Sequence, residues 1–165
     1  MAKPTAEDTN CVIAKTASQI GEVWTLLILR NAFHGMRRFE HFEQSLGIAT
    51  NILSDRLKKL CQAGILVRAK LPEDGRVYEY RLSEKGLDLY PIIVSLLHWG
   101  ERWHGDETGS RLELTEKTTG LPISQMAVRN QDGQALRPQD VVPRPGPKAD
   151  QSIRNLINHR RTRQS

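Results

Sequence analysis

The residues best suited to chemistry lie between positions 50 and 62. Leu53, Leu57 and Leu60 recur at helical spacing. A helix built on that seam turns Asn51, Asp55, Lys58 and Gln62 to the opposite side, with Ser54 and Lys59 flanking them and Thr50 at the start as its N-cap. Asn and Gln can pair bidentately with adenine, Asp can accept from the cytosine amine, and Lys serves guanine or phosphate. Any amphipathic helix exposes such residues, so the pattern takes its meaning from what surrounds it.

Cations surround it. Arg37 and Arg38 precede a short apolar pattern at Phe39, Phe42 and Leu46, placed to clamp a phosphate at a helix N-terminus. Downstream, Arg68 and Lys70 lead into the turn Pro72-Glu73-Asp74-Gly75, and Arg76 follows it. An arginine at a hairpin tip meets phosphate or enters the minor groove. Residues 37–76 hold eight basic and five acidic side chains, a local excess of +3. The 165-residue chain has 24 basic and 19 acidic residues, net +5, and that whole excess lies in 143–165, where six basic residues face Asp150 alone. The rest sums to zero, so a phosphate-binding surface fits either the 37–76 stretch or the tail.

Two cysteines are too few for a disulfide framework, or for a four-ligand zinc site without histidine help, and they suit a reducing interior. Cys11 opens the first helical pattern, where unpaired backbone N–H groups and Lys15 one turn later favour a thiolate, and it is the candidate regulatory thiol. Cys61, on the flank of the 50–62 helix, reads as a structural thiol. His34, His41, His98, His104 and His159 fall in no metal or triad spacing, and there is neither a Gly-rich phosphate loop nor a G-x-S-x-G. No catalytic residue, cofactor or metal is therefore expected; His98 and Trp99 could at most line a ligand cavity. No apolar run approaches the ~18 residues that span a bilayer. The opening MAKPTAEDTN has no apolar h-region, so the expected setting is the cytoplasm, without a membrane partner.

The elements that must position these groups follow from period and punctuation. Ile13, Ala17 and Ile20 form one helical face, Gly21 breaks it, and Trp24 to Phe33 is apolar enough for a buried helix ended by Gly35. A third helix carries Phe39, Phe42 and Leu46 to Gly47; the fourth runs from Thr50 to Gly64. Ile65-Leu66-Val67 and Val77 to Leu82 then flank the turn as a β-hairpin, and Ser83 caps a long helix over 84–104 with Pro91 kinking it. This order predicts a mainly α fold with a small hairpin wing (α+β), a winged helix-turn-helix. A winged module that binds protein rather than DNA is the rival reading, since fold alone does not decide function.

The last helix carries two apolar stripes: Leu89, Ile92, Leu96, Trp99 and Trp103, and Leu87, Tyr90, Val94 and Leu97. One small domain needs a single stripe, so the first set is expected to form the interface of a homodimer. The predicted divisions are a flexible 1–10, a DNA-binding and dimerisation domain over 11–104, a small β-rich appendage over 105–142, and a Pro-rich linker with a basic tail over 143–165. In the tail, Ile153, Leu156 and Ile157 offer a weak helix.

Several segments, taken in order, carry a resemblance. They are Ile20-Gly21-Glu22-Val23-Trp24-Thr25-Leu26-Leu27-Ile28-Leu29-Arg30, Arg38-Phe39, Leu53-Ser54-Asp55-Arg56-Leu57-Lys58-Lys59-Leu60, Tyr80-Arg81-Leu82-Ser83-Glu84-Lys85-Gly86 and Trp99-Gly100. Together they closely resemble the HxlR family of bacterial transcription regulators, relatives of the MarR group, over about residues 11–104. One departure is Val23, where Lys usually precedes the Trp. The resemblance implies a homodimer on an inverted repeat in double-stranded DNA, with the fourth helix in the major groove and the Trp99 helix in the dimer interface. It favours a repressor responding to a small molecule or to thiol modification, and Cys11 stands where the family commonly carries its N-terminal cysteine. Some members append a zinc-ribbon-like segment. Here its expected cysteines read Thr119, Arg129 and Asp132, which implies the shape without structural zinc.

Overall fold

The computed structural model describes residues 10–71, 77–106 and 108–161, the last three as backbone alone. The expected flexible stretch 1–9, the turn 72–76 with Arg76, and the end of the basic tail lie outside the described residues. Two compact units divide the chain, Met1–Ser124 and Gln125–Ser165.

The first unit runs α1 (Val12–Ile20), α2 (Val23–Phe33), α3 (Phe39–Leu46), α4 (Thr50–Gln62), β1 (Leu66–Lys70), β2 (Tyr78–Leu82), α5 (Glu84–Leu87) and α6 (Tyr90–His104). Ile28 and Leu29 of α2, Phe42 of α3, Leu53, Leu57 and Leu60 of α4, and Ile65 and Leu66 entering the hairpin are all at most 2% exposed. Each such side chain contributes about 1.5–3 kcal/mol by leaving water. This core therefore fixes α4 against α2 and α3 by its leucine seam and leaves its polar face outward. Gly47 makes the corner between α3 and α4. Its φ of 59° closes α3 by returning its N–H to Glu43 O at 2.9 Å, a conformation glycine adopts without a Cβ penalty.

Polar groups add fixed joints. Glu22 accepts from Thr25 N–H at 3.1 Å and so caps α2. Buried Asn31 donates to Ser45 Oγ at 3.0 Å, tying α2 to α3. The hairpin pairs antiparallel from Leu66↔Leu82 to Lys70↔Tyr78. It gains a third partner where Tyr80 N–H donates to Arg37 O at 2.7 Å and Arg38 bridges Glu79, so the segment before α3 lies along the wing. At the wing's exit Ser83 Oγ donates to Gly64 O at 2.6 Å and accepts from Gly86 N–H at 3.0 Å.

Three expectations need correction. Ala49, not Thr50, is the N-cap of α4; Thr50 is the first helical residue, and its hydroxyl donates to the Glu43 carboxylate instead. The helix expected over 84–104 is two helices, Glu84–Leu87 and Tyr90–His104. Pro91 lies in the first turn of the second, where the N–H it lacks would have had no helical partner, so it starts α6 rather than kinking it.

The β-rich appendage over 105–142 is likewise absent as strands among the described residues. One turn, closed by Glu116 N–H to Leu121 O at 2.8 Å and Ile123 N–H to Leu114 O at 2.9 Å, belongs to the first unit. The other, in the second unit, is closed by Asn130 N–H to Gln134 O at 3.0 Å and Leu136 N–H to Val128 O at 2.8 Å. The apolar runs there are two or three residues long, too short to support a ladder. Side-chain oxygens organise both turns: Thr119 Oγ1 accepts from Leu121 N–H, and Asn130 Oδ1 accepts from Asp132 and Gln134 N–H at 3.1 and 2.8 Å. Arg129 caps the second by donating to Gly133 O at 2.6 Å. That unit also holds a 3-10 turn (Pro138–Asp140) and α7 (Gln151–Arg161). Among the described residues no single helix is long and apolar enough to cross a membrane.

Candidate nucleic-acid interface

The outward face of α4 carries every residue expected there. Thr50, Asn51, Ser54, Asp55, Lys58, Lys59 and Gln62 are exposed, while Leu53, Leu57 and Leu60 are buried. The face divides into committed and uncommitted side chains. Asp55 is engaged: Lys59 Nζ lies 2.9 Å from its carboxylate and Arg56 Nη1 3.5 Å. The hydrogen bond from Lys59 is the main reason the Asp55 carboxyl is held below the usual carboxylate range, and the charge of Arg56 adds to it. Asp55 and Lys59 therefore satisfy each other in the free chain, which weakens the expected cytosine and phosphate contacts. Arg56 Nε also lies 3.1 Å from Glu22, near enough for an ion pair although its N–H is not aligned as a hydrogen bond. Thr50 is held by Glu43. The side chains of Asn51, Ser54 and Lys58 make no hydrogen bond or ion pair among the described residues, so their donors and acceptors face outward for a ligand.

Exposed Ile52 was not anticipated. An apolar side chain off the leucine seam, beside Asn51 at the helix start, suits the thymine methyl. Its signal in the sequence was an isoleucine out of phase with the seam.

Arg37 and Arg38 are exposed at the start of α3, held against β2 by the backbone contacts given above. On the wing, the register puts Arg68, Lys70, Tyr78 and Tyr80 on one face. Arg68 Cζ lies 3.7 Å from the Tyr78 ring centroid, and Lys70 Nζ 5.8 Å. The tyrosine holds two cations on one side of the wing. Arg68 and Tyr78 join the site as a pair because the ladder brings them together; the sequence showed the cations without their platform. Arg81 lies on the other face, paired with Glu79 at 2.8 Å.

The stripe on α6 divides as the spacing implied, with one exception. Ile92, Leu96, Trp99 and Trp103 are 41–63% exposed, whereas Leu89 packs on the core. The other stripe is anchored inward by Val94, at 2% exposure. Exposed Val12 and Ile13 of α1 line a shallow apolar groove with Ile92 and Leu96. Cys11, the N-cap of α1, is exposed at its end. Cys61 is half-buried, and burial pushes its thiol up, away from reactivity. Among the described residues no cluster of three His, Cys, Asp or Glu could hold a metal.

A helix with an outward base-reading face, a cation-bearing wing beside it and a two-sided last helix define a winged helix-turn-helix regulator. Residues 19–108 match the HxlR-like helix-turn-helix model, and the chain belongs to that family. It is a transcriptional regulator with a DNA-binding fold, and the family's members are regulators rather than enzymes. A helix-turn-helix transcriptional regulator of Mycobacterium tuberculosis, itself uncharacterised, is 36% identical over 135 residues, 82% of this chain and 85% of the relative. Among solved structures, the candidate transcription factor PA1607 is 38% identical with a TM-score of 0.77, covering 82% of this chain and 94% of its own. The redox regulator HypR in its reduced form is 28% identical with a TM-score of 0.52, over 56% of this chain and 92% of its own, and the oxidised form is equally similar in fold.

Proposed function

We propose that this regulator is a homodimeric repressor that reads an inverted repeat in double-stranded DNA and is released by modification of Cys11 or by a small-molecule effector. The observation that carries the DNA reading is the uncommitted polar face of α4 standing beside the cations of the wing. In this reading Asn51 and Ser54 contact base edges. Arg37, Arg38, Lys58, Lys70 and Arg76 hold phosphates, and Arg68 joins them. Asp55 and Lys59 exchange their mutual ion pair for DNA contacts. Leu96, Trp99, Trp103 and Ile92 close the dimer, with Leu89 supporting α6 from behind. A compact dimer seated across an operator represses by occupying the duplex.

Replacing Asn51 tests the reading directly. Asn51→Ala is expected to weaken binding to the selected site by roughly 1–3 kcal/mol while leaving non-specific duplex binding nearly unchanged. Selection from random duplexes supplies the site, and fluorescence anisotropy measures both constants. Equal losses on both duplexes would remove Asn51 from the specificity residues. Absence of duplex binding even at low salt, where phosphate contacts are strongest, would favour a protein-interaction module.

The thiol reading rests on the position of Cys11 at the end of a helix that shares a groove with Ile92 and Leu96. The fold similarity to a regulator known in reduced and oxidised forms supports it. Modifying Cys11 shifts α1 against the proposed dimer face and so alters the spacing of the two recognition helices, which must match half-sites roughly 34–36 Å apart. Diamide is expected to release the operator from the wild type and to have no effect on Cys11→Ser. An identical response in the two proteins would overturn the switch.

A further inference from the structure

We propose that the cavity between α2 and α6 is a binding site for a compact carboxylate with an apolar body of one or two rings. The cavity has a volume of about 300 Å³, at the small end of the ~300–1,000 Å³ range of small-molecule sites. Leucine, isoleucine, valine and aromatic side chains make its walls. Leu26, Leu27 and Phe33 come from α2, Ile93 and Leu97 from α6, and Leu112 and Leu114 from the segment after α6. Phe33 and Tyr90 meet at 5.0 Å between ring centroids and brace one end. A body without polar groups is what such walls accept, because any buried donor or acceptor on it would go unpaired.

The exceptions on the wall are Arg30 and His34, one turn apart at the end of α2. Arg30 has no carboxylate partner among the described residues. Its guanidinium is nevertheless fixed: Nε and Nη2 donate to Asn31 Oδ1 at 3.0 and 2.9 Å, and Asn31 is itself 3% exposed and held by Ser45. A flexible surface arginine needs no such mount. The mount leaves the outer edge of the fork, Nη1 included, for an anion. His34 Nδ1 lies 2.7 Å from Arg30 O; as donor to that carbonyl, its neutral ring leaves Nε2 as an acceptor beside the same spot. The negative end of α2 opposes an anion there, but by less than a charge-assisted hydrogen bond to arginine gains.

The location gives the site a consequence. α2 packs against α3 and α4, which present the DNA face, and α6 carries the proposed dimer stripe, with Leu96 on both the cavity wall and the shallow groove. A ligand wedged between α2 and α6 sets the angle between reader and dimer. This consequence rests on the regulatory reading above, whereas the binding does not.

The test is calorimetry on the full chain with 2-naphthoate and with its neutral analogue 2-naphthylmethanol. The expected result is one naphthoate per chain, bound at least about tenfold more tightly than the alcohol, the margin of a charge-assisted hydrogen bond. Arg30→Gln is expected to erase that margin while leaving alcohol binding unchanged. Leu97→Trp, which fills the cavity, is expected to weaken both, with its melting temperature showing that it folds. Equal binding of acid and alcohol, no heat beyond dilution, or unaltered binding by Leu97→Trp would overturn the site. Saturating naphthoate is then expected to change operator affinity at least about threefold, the low side of typical coupling energies. An unchanged affinity with intact calorimetry would overturn the effector role alone. Loss of all operator binding without ligand would instead count against the regulatory reading.

Discussion

Leu96→Glu and Trp99→Glu are each expected to leave a monomer that holds the operator about 100-fold or more weakly than the wild type. The stripe they occupy is exposed along four successive positions of α6, flanked by Val12 and Ile13 of α1. A contiguous apolar patch of this kind on a small domain marks an interface. Glutamate at its centre would have to enter the interface unpaired, which costs more than the apolar contact it replaces. Each half-site alone holds a single α4 with few base contacts. Linking two readers adds about 10²–10⁴ in affinity through effective concentration, and that factor disappears with the dimer. Neither position belongs to the core around Phe42 and Leu57, so the monomer is expected to stay folded. Light scattering and duplex titration on the same samples check both parts. An intact dimer in both variants would sink the shared-helix arrangement.

The parts of this molecule that repeat at a fixed period were legible in its sequence. The Leu53, Leu57, Leu60 seam, the two stripes of α6 and the glycines at 47 and 64 locate the reading helix and the outward face of the last helix, because local periodicity and backbone freedom decide both. Leu89 shows the limit: it keeps the stripe's spacing yet packs inward, since α6 starts beside α5 and its first turn is covered by the core. Local pairing was harder to read. Asp55 and Lys59 stand four apart, a spacing that serves a helix ion pair as well as a DNA face, and only the 2.9 Å contact decides between them. Thr50 likewise had two uses, as a cap or as a tie to α3, and the Glu43 carboxylate seven residues back settles which.

What no local pattern could supply is proximity between distant segments. Arg68 and Tyr78 become one feature through the hairpin register. The cavity exists because Leu112 and Leu114 return to α2 and α6, although those leucines read as the start of a strand. The mount of Arg30 on Asn31 adds a buried polar contact that hydropathy cannot display.

The second large effect concerns the corner that holds the reading helix. Phe42→Ala is expected to cost about 3–5 kcal/mol, the range for truncating a buried phenylalanine. Phe42 is 0% exposed and belongs to the cluster with Ile28, Leu53 and Leu57, so its ring ties α3 to the elements that seat α4. α3 is eight residues long and carries no other fully buried side chain. Phe39 and Leu46 pack only partly on the core, and Asn31 to Ser45 is a single hydrogen bond. The void left by the ring would therefore face a helix with little else to hold it. Collapse of α3 into that space would tilt the Gly47 corner and move Asn51 with it. Domains of this size hold about 5–15 kcal/mol in all, so the variant would lose a third or more of its stability and its DNA reading would fail at a lower temperature. Urea unfolding of full-length protein reads the change as a lower midpoint at unchanged slope. Phe42→Leu separates volume from geometry, since it keeps an apolar side chain and is expected to fall less than half as far. If Phe42→Ala unfolded within about 1 kcal/mol of the wild type, α3 would be held by contacts other than this ring, and the corner would not depend on it.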